Sequence, residues 1–148
     1  MALSQLENLL VSHEGLRLTP YDDATGRPLT LSEPLQGKVT IGVGRNLTDV
    51  GITRQEAMKL LRADLQTATK KANQYRFFEG LSSVRQAVIL SMIFNLGSIN
   101  AFVKMRAAIN VKDWHRAAAE MLDSRWATQV GRRAQDLATM METGRWPK

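Results

Sequence analysis

The chain has 148 residues, 44% apolar and 23% charged, with a net charge of +6. That excludes intrinsic disorder and is long enough to bury the core of one compact domain. It contains no cysteine and only two histidines, His13 and His115, which excludes a disulfide scaffold and a Cys-ligated metal and argues against a multi-histidine centre. The charge excess is +1 over residues 1–75 and +5 over residues 76–148. A basic second half fits a polyanionic partner such as nucleic acid, anionic lipid or a cell-wall polymer, and it fits a merely solvated charged surface equally well.

From the N-terminus, Leu3, Leu6, Leu9 and Leu10 recur at helical spacing and Gly15 is a natural stop. The spacing predicts a helix from about Ser4 to Glu14. The segment lacks a basic leader and carries Glu7 within its apolar pattern, so it reads as an amphipathic helix and not a signal peptide. "RLTPY" reads as a strand, "DDATGRP" as a turn, then comes "LTL", and a second turn lies around Pro34 and Gly37. "KVTIGVG" is the strongest strand signal, β-branched residues ending at two glycines. Residues 16–45 are expected to form a small antiparallel sheet.

Thr53 and Glu56 form a capping box. It opens a long helix with an apolar stripe at Ala57, Leu60, Leu61, Leu65, Ala68 and Ala72, ending near Tyr75. No strand-like segment follows. "SSVRQAVILSMIFNLG" is apolar nearly all round and predicts a central buried helix. "INAFVKMRAAIN", "DWHRAAAEMLD" and "RRAQDLATMMETG" predict shorter helices around it. Met92, Met121, Met140 and Met141 are expected in the core, Trp114 and Trp126 as its anchors, and His115 on an exposed face. The longest apolar run, "AVILSMIF", is too short to span a bilayer. The fold class is therefore α+β: a small β lobe joined by one long helix to an all-helical lobe, with a ligand cleft expected between them.

Two acids stand out in "HEGLRLTPYDD". Glu14 sits in the last turn of its helix, facing the negative end of the helix dipole, a setting that favours the protonated form a general acid needs. Asp23 falls in a polar turn after a strand, where it should stay ionised. Unlike environments for two acids on one cleft suit glycosidic cleavage. Asp22 competes with Asp23, and alternation along the strand would send the two side chains to opposite sides. Thr25 and Thr30 compete with Thr40, which alone directly precedes Ile-Gly-Val-Gly.

"EGLRLTPYDD" followed by "TIGVGRNL" resembles the phage-type lysozymes (endolysins) of glycoside hydrolase family 24. "SMIFNLG", "SRWATQVGRRA" and "TGRW" extend the resemblance along most of the chain. The resemblance implies a single lysozyme domain over 1–148: a first lobe over about 1–52, a connecting helix over about 53–75 and a helical lobe over about 76–148. It implies a muramidase acting on the β-1,4 bond between N-acetylmuramic acid and N-acetylglucosamine of peptidoglycan, with inversion and without metal or cofactor. Glu14 would be the general acid, Asp23 would position or deprotonate the attacking water, and Thr40 would hold it. Arg133 matches an arginine reaching across to the catalytic glutamate, an interaction that would oppose the dipole effect. Phe94 would line the cleft floor or pack in the core. Asn46 is a sugar contact by position alone.

Two features depart from that pattern. Sixteen residues, "ATGRPLTLSEPLQGKV", separate Asp23 from Thr40, where the best-known members have a much shorter segment. It reads as a lengthened hairpin, a flap, or a tolerated surface insertion. Arg45 stands where the family often has His, so a structural or substrate-contact role is expected there. Rival readings are a lytic transglycosylase, which needs only the acid, a non-catalytic wall-binding domain, and a nucleic-acid binder, for which no motif is present. The expected protein is a monomer that binds peptidoglycan and neither nucleic acid nor, stably, a membrane. It would be made in the bacterial cytoplasm and reach the wall through a separate membrane lesion or in a virion.

Overall fold

A computed structural model describes residues 4–148, and Leu3 of the first apolar stripe lies outside them. The described chain is α+β. In order it runs α1 (Gln5–Glu14), β1 (Arg17–Asp22), β2 (Val39–Gly42), β3 (Arg45–Asn46), α2 (Arg54–Ala72), α3 (Ser83–Leu96), α4 (Val103–Asn110), α5 (Trp114–Leu122), α6 (Arg125–Val130) and α7 (Arg132–Thr143). It divides into two compact units, Met1–Met58 and Lys59–Lys148, and the division falls inside α2 rather than at either end of that helix.

In the first unit, Ser4 caps α1 by a reciprocal box, its hydroxyl accepting from the Glu7 N–H while the Glu7 carboxylate accepts from the Ser4 N–H. Gly15, at φ 76°, ends the helix. The sheet is antiparallel in the order β1-β2-β3. Arg17 pairs with Gly42, Tyr21 with Thr40 and Asp22 with Val39, so the register slips between Arg17 and Tyr21. That interval holds Pro20, which has no N–H to give the ladder. Thr40 also pairs with Asn46, and Ile41 with Arg45.

The "LTL" segment forms no strand. The long β1–β2 connection makes a single bridge, Tyr21 to Pro28, and Leu31 is fully exposed. Prolines at 28 and 34 withhold two of the donors a third ladder would need.

The apolar stripes of α1 and of the first half of α2 are also largely uncovered. Leu6, Leu9, Leu10, Leu60 and Leu65 are all exposed, and α1 buries no residue. Helical spacing says which face can be buried, and a covering partner decides whether it is. Among residues 4–58 the only buried side chains are those of Asp22 and Thr40.

The second unit holds the apolar core. α3 runs through it, capped by Ser82 and closed by Gly97 at φ 81°, with Val88, Ile89 and Met92 fully buried. Met105, Ile109, Met121, Met141 and Trp126 complete the packing. Trp126 is T-shaped against Phe102 and donates its indole N–H to the Asn95 side-chain oxygen at 2.8 Å. α6 has no counterpart in the sequence reading. Its signal was Ser124, whose hydroxyl accepts from the Ala127 N–H. α2 stops at Ala72, three residues short of Tyr75, where successive turns begin. Among the described residues no helix is long and apolar enough to cross a membrane.

Candidate active site

The first unit carries the three candidate catalytic residues. Glu14 is the last residue of α1 and is exposed. Its carboxylate lies over Gly44 in the β2–β3 turn, where a Cβ would stand 3.2 Å from Glu14 Oε2. Gly44 has φ 66°, so two requirements converge on glycine there: backbone hand and room for the carboxylate.

Asp22 and Asp23 differ in burial and in their hydrogen-bond partners. Asp22 is 6% exposed. Its Oδ2 accepts from the Gln36 N–H at 2.7 Å, and its Oδ1 from the N–H groups of Gly37 and Ala24, both at 2.9 Å. These main-chain donors, Gln36 foremost, hold its carboxyl below the ordinary carboxylate range, although burial pushes the other way. With its lone pairs so engaged, Asp22 is poorly placed to accept a proton from water. Asp23 is exposed. Its Oδ1 accepts from the Lys38 N–H at 2.6 Å, and among the described residues its Oδ2 accepts no hydrogen bond.

Thr40 is 4% exposed at the start of β2, and its hydroxyl donates to the Lys38 carbonyl at 3.2 Å. The hydroxyl proton is thereby committed, which leaves Oγ1 as an acceptor. Asp23 and Thr40 thus meet at one residue, while Glu14 stands at the glycine-turn end of the same strand.

Arg45 and Asn46 are built into the scaffold. Arg45 Nε donates to the Gly51 carbonyl at 3.1 Å and its guanidinium pairs with Glu56 at 3.4 Å, tying the hairpin to the start of α2. Asn46 donates to the Asp49 carboxylate at 2.9 Å and accepts from the Asp49 N–H at 3.0 Å, closing a turn. Lys38 pairs with that same Asp49 at 3.1 Å.

Phe94 and Arg133 belong to the second unit. Phe94 does not pack in the core: it is 51% exposed and lines a small concavity of about 210 Å³ with Asp64, Thr67, Lys71 and Gly97. Arg133 is exposed in the first turn of α7. Among the described residues, no group of three or more His, Asp or Glu side chains is arranged to hold a metal ion.

The phage lysozyme family matches this chain over residues 11–142, a span that contains all of these positions. The chain belongs to the phage lysozyme family. It is also similar to two proteins of Dictyostelium discoideum, "Probable T4-type lysozyme 1" at 25% identity and "Probable T4-type lysozyme 2" at 24%, each alignment covering 96% of both chains. Membership of this family makes it a lysozyme-type hydrolase.

Proposed function

We propose that this phage lysozyme family member is a muramidase that cleaves the β-1,4 bond from N-acetylmuramic acid to N-acetylglucosamine in peptidoglycan, with Glu14 as general acid and Asp23 as base. The observation that carries the reading is the convergence of Asp23 and Thr40 on Lys38, at one end of β2, with the Glu14 carboxylate at the other. The Glu14 carboxyl gives its proton to the leaving sugar oxygen as the glycosidic bond breaks. A water forms the new bond to the anomeric carbon from the opposite face, and Asp23 Oδ2 takes one of its protons. The second water proton points to Thr40 Oγ1, which can only accept, so a water lone pair is turned to the sugar. Inversion needs room for a water between acid and base, and the placement of Glu14 and Asp23 at opposite ends of β2 supports that reading.

The deciding measurement is the mass and anomeric form of fragments released from purified peptidoglycan by wild type and by Glu14→Gln. Reducing-end muramic acid of α configuration from wild type, with almost none from the variant, is expected. Fragments lighter by one water would identify a transglycosylase and remove the role of Asp23.

A further inference from the structure

Three consecutive main-chain N–H groups at the end of the long connection, those of Gln36, Gly37 and Lys38, are taken by two consecutive carboxylates. Asp22 accepts from Gln36 and Gly37, and Asp23 accepts from Lys38. We propose that Asp22 and Gly37 are positioning residues for the reaction, holding the Gln36–Lys38 backbone as a cradle that aims the Asp23 carboxylate. The proposal rests on the muramidase reading of Asp23.

Two observations separate this cradle from an ordinary loop tie. The first is close approach. A Cβ on Gly37 would stand 2.2 Å from Asp23 Oδ1, 2.7 Å from the Ala24 Cβ and 2.8 Å from the Ala24 nitrogen. Gly37 does not have the left-handed backbone that usually demands glycine, so the requirement is room for the Asp23 carboxylate and the adjoining Ala24 backbone. The second is burial. Among residues 4–58 only Asp22 and Thr40 are buried, and both are bonded to the two-residue step Gly37–Lys38. This unit has therefore placed its two buried side chains beside Asp23 rather than in an apolar core.

The chemistry of Asp22 fits the task. An ionised carboxylate has enough lone pairs for three N–H donors, and bonds to a charged acceptor are the stronger kind. An asparagine offers one acceptor oxygen and would leave at least one of Gln36 and Gly37 unmatched. A connection of this length otherwise samples many conformations, and a displacement of about 1 Å in a reacting group can cost about 100-fold in rate. The insertion thus brings its own clamp.

The test compares Gly37→Ala and Asp22→Asn with Leu31→Ser, a change at a fully exposed position of the same connection. Each full-length variant is assayed for kcat and KM on purified peptidoglycan, and the Lys38 amide is followed by ¹H–¹⁵N NMR. Gly37→Ala and Asp22→Asn are expected to lower kcat about 10- to 100-fold with KM within about twofold, and to shift the Lys38 amide toward its position in Asp23→Ala. Leu31→Ser should change neither. A Lys38 amide that moves while kcat stays within about twofold would overturn the proposal, as would a rise in KM at constant kcat. Gly37→Ala carries the test alone if Asp22→Asn does not fold. Wild type that releases no fragments would instead defeat the muramidase reading, whatever the amide shows.

Discussion

Asp23 and Thr40 hold the two backbone polar groups of one residue, Lys38: the Asp23 carboxylate accepts the Lys38 N–H at 2.6 Å, and the Thr40 hydroxyl donates to the Lys38 carbonyl at 3.2 Å. The two side chains are 17 positions apart in sequence, yet a single residue sets their relative placement. Asp23→Asn keeps an acceptor for Lys38 and removes only the base. We expect kcat on peptidoglycan to fall about 100- to 10,000-fold with the thermal unfolding midpoint unchanged. A fall in the midpoint comparable to that of Asp23→Ala would show that the charge serves the fold.

Gly44 meets Glu14 at the other end of β2. An alanine there must adopt φ 66° and put its Cβ 3.2 Å from Glu14 Oε2. The backbone cost is about 1–2 kcal/mol, read as a lower midpoint in urea. Activity should fall further than stability explains, because the carboxylate must give way. Retention of full activity under conditions where the variant is folded would show that Glu14 tolerates displacement.

Asp22 makes a prediction in acid. Its folded carboxyl titrates below the ordinary range, so its contribution to stability is complete above the unfolded value of about 3.9 and is lost as pH falls toward the folded one. Urea midpoints of wild type and Asp22→Asn should therefore differ at neutral pH and converge below about pH 4. A gap that persists undiminished to pH 2 would trace it to geometry alone.

His115 behaves with the opposite sign. Its Nδ1 lies 2.7 Å from Glu142 Oε1, and that bond, with the charge behind it, raises the imidazole above its usual value. The pair stabilises below about pH 6.5 and fades as pH rises through the folded value. NMR titration should place the His115 midpoint above about 6.5, and Glu142→Gln should bring it down. An unmoved midpoint would mean that the pair is not populated in solution.

Much of the arrangement was legible in the chain itself. The ends of α1, α2 and α3 were written by capping chemistry at Ser4, Thr53 and Ser82 and by glycine stops at Gly15 and Gly97, because a helix end must satisfy its own backbone groups locally. α3 and the buried methionines followed from apolar density, since a helix apolar on every side has no stable place except a core. The unlike settings of the two acids were readable as well, Glu14 closing a helix and Asp23 following a strand.

Other features needed the tertiary structure. Spacing marks Leu6, Leu9 and Leu60 as a possible buried face, but burial depends on a partner that no local pattern encodes, and these residues are exposed. "LTL" has strand-like residues and lacks a donor row to pair with. Position alone marks Asn46 as a sugar contact and leaves Arg45 as structural or substrate-contacting, and only the folded chain shows Asn46 bonded to Asp49 and Arg45 to Gly51 and Glu56. The division of labour between Asp22 and Asp23 is tertiary as well. In sequence the two compete for one role, and only the return of Gln36–Lys38 to the end of β1 decides that Asp22 is consumed by backbone donors and Asp23 keeps an open oxygen. Local propensities act over a turn or a strand, whereas hydrogen bonds that link residues 14 or more positions apart exist only once the chain has folded back on itself.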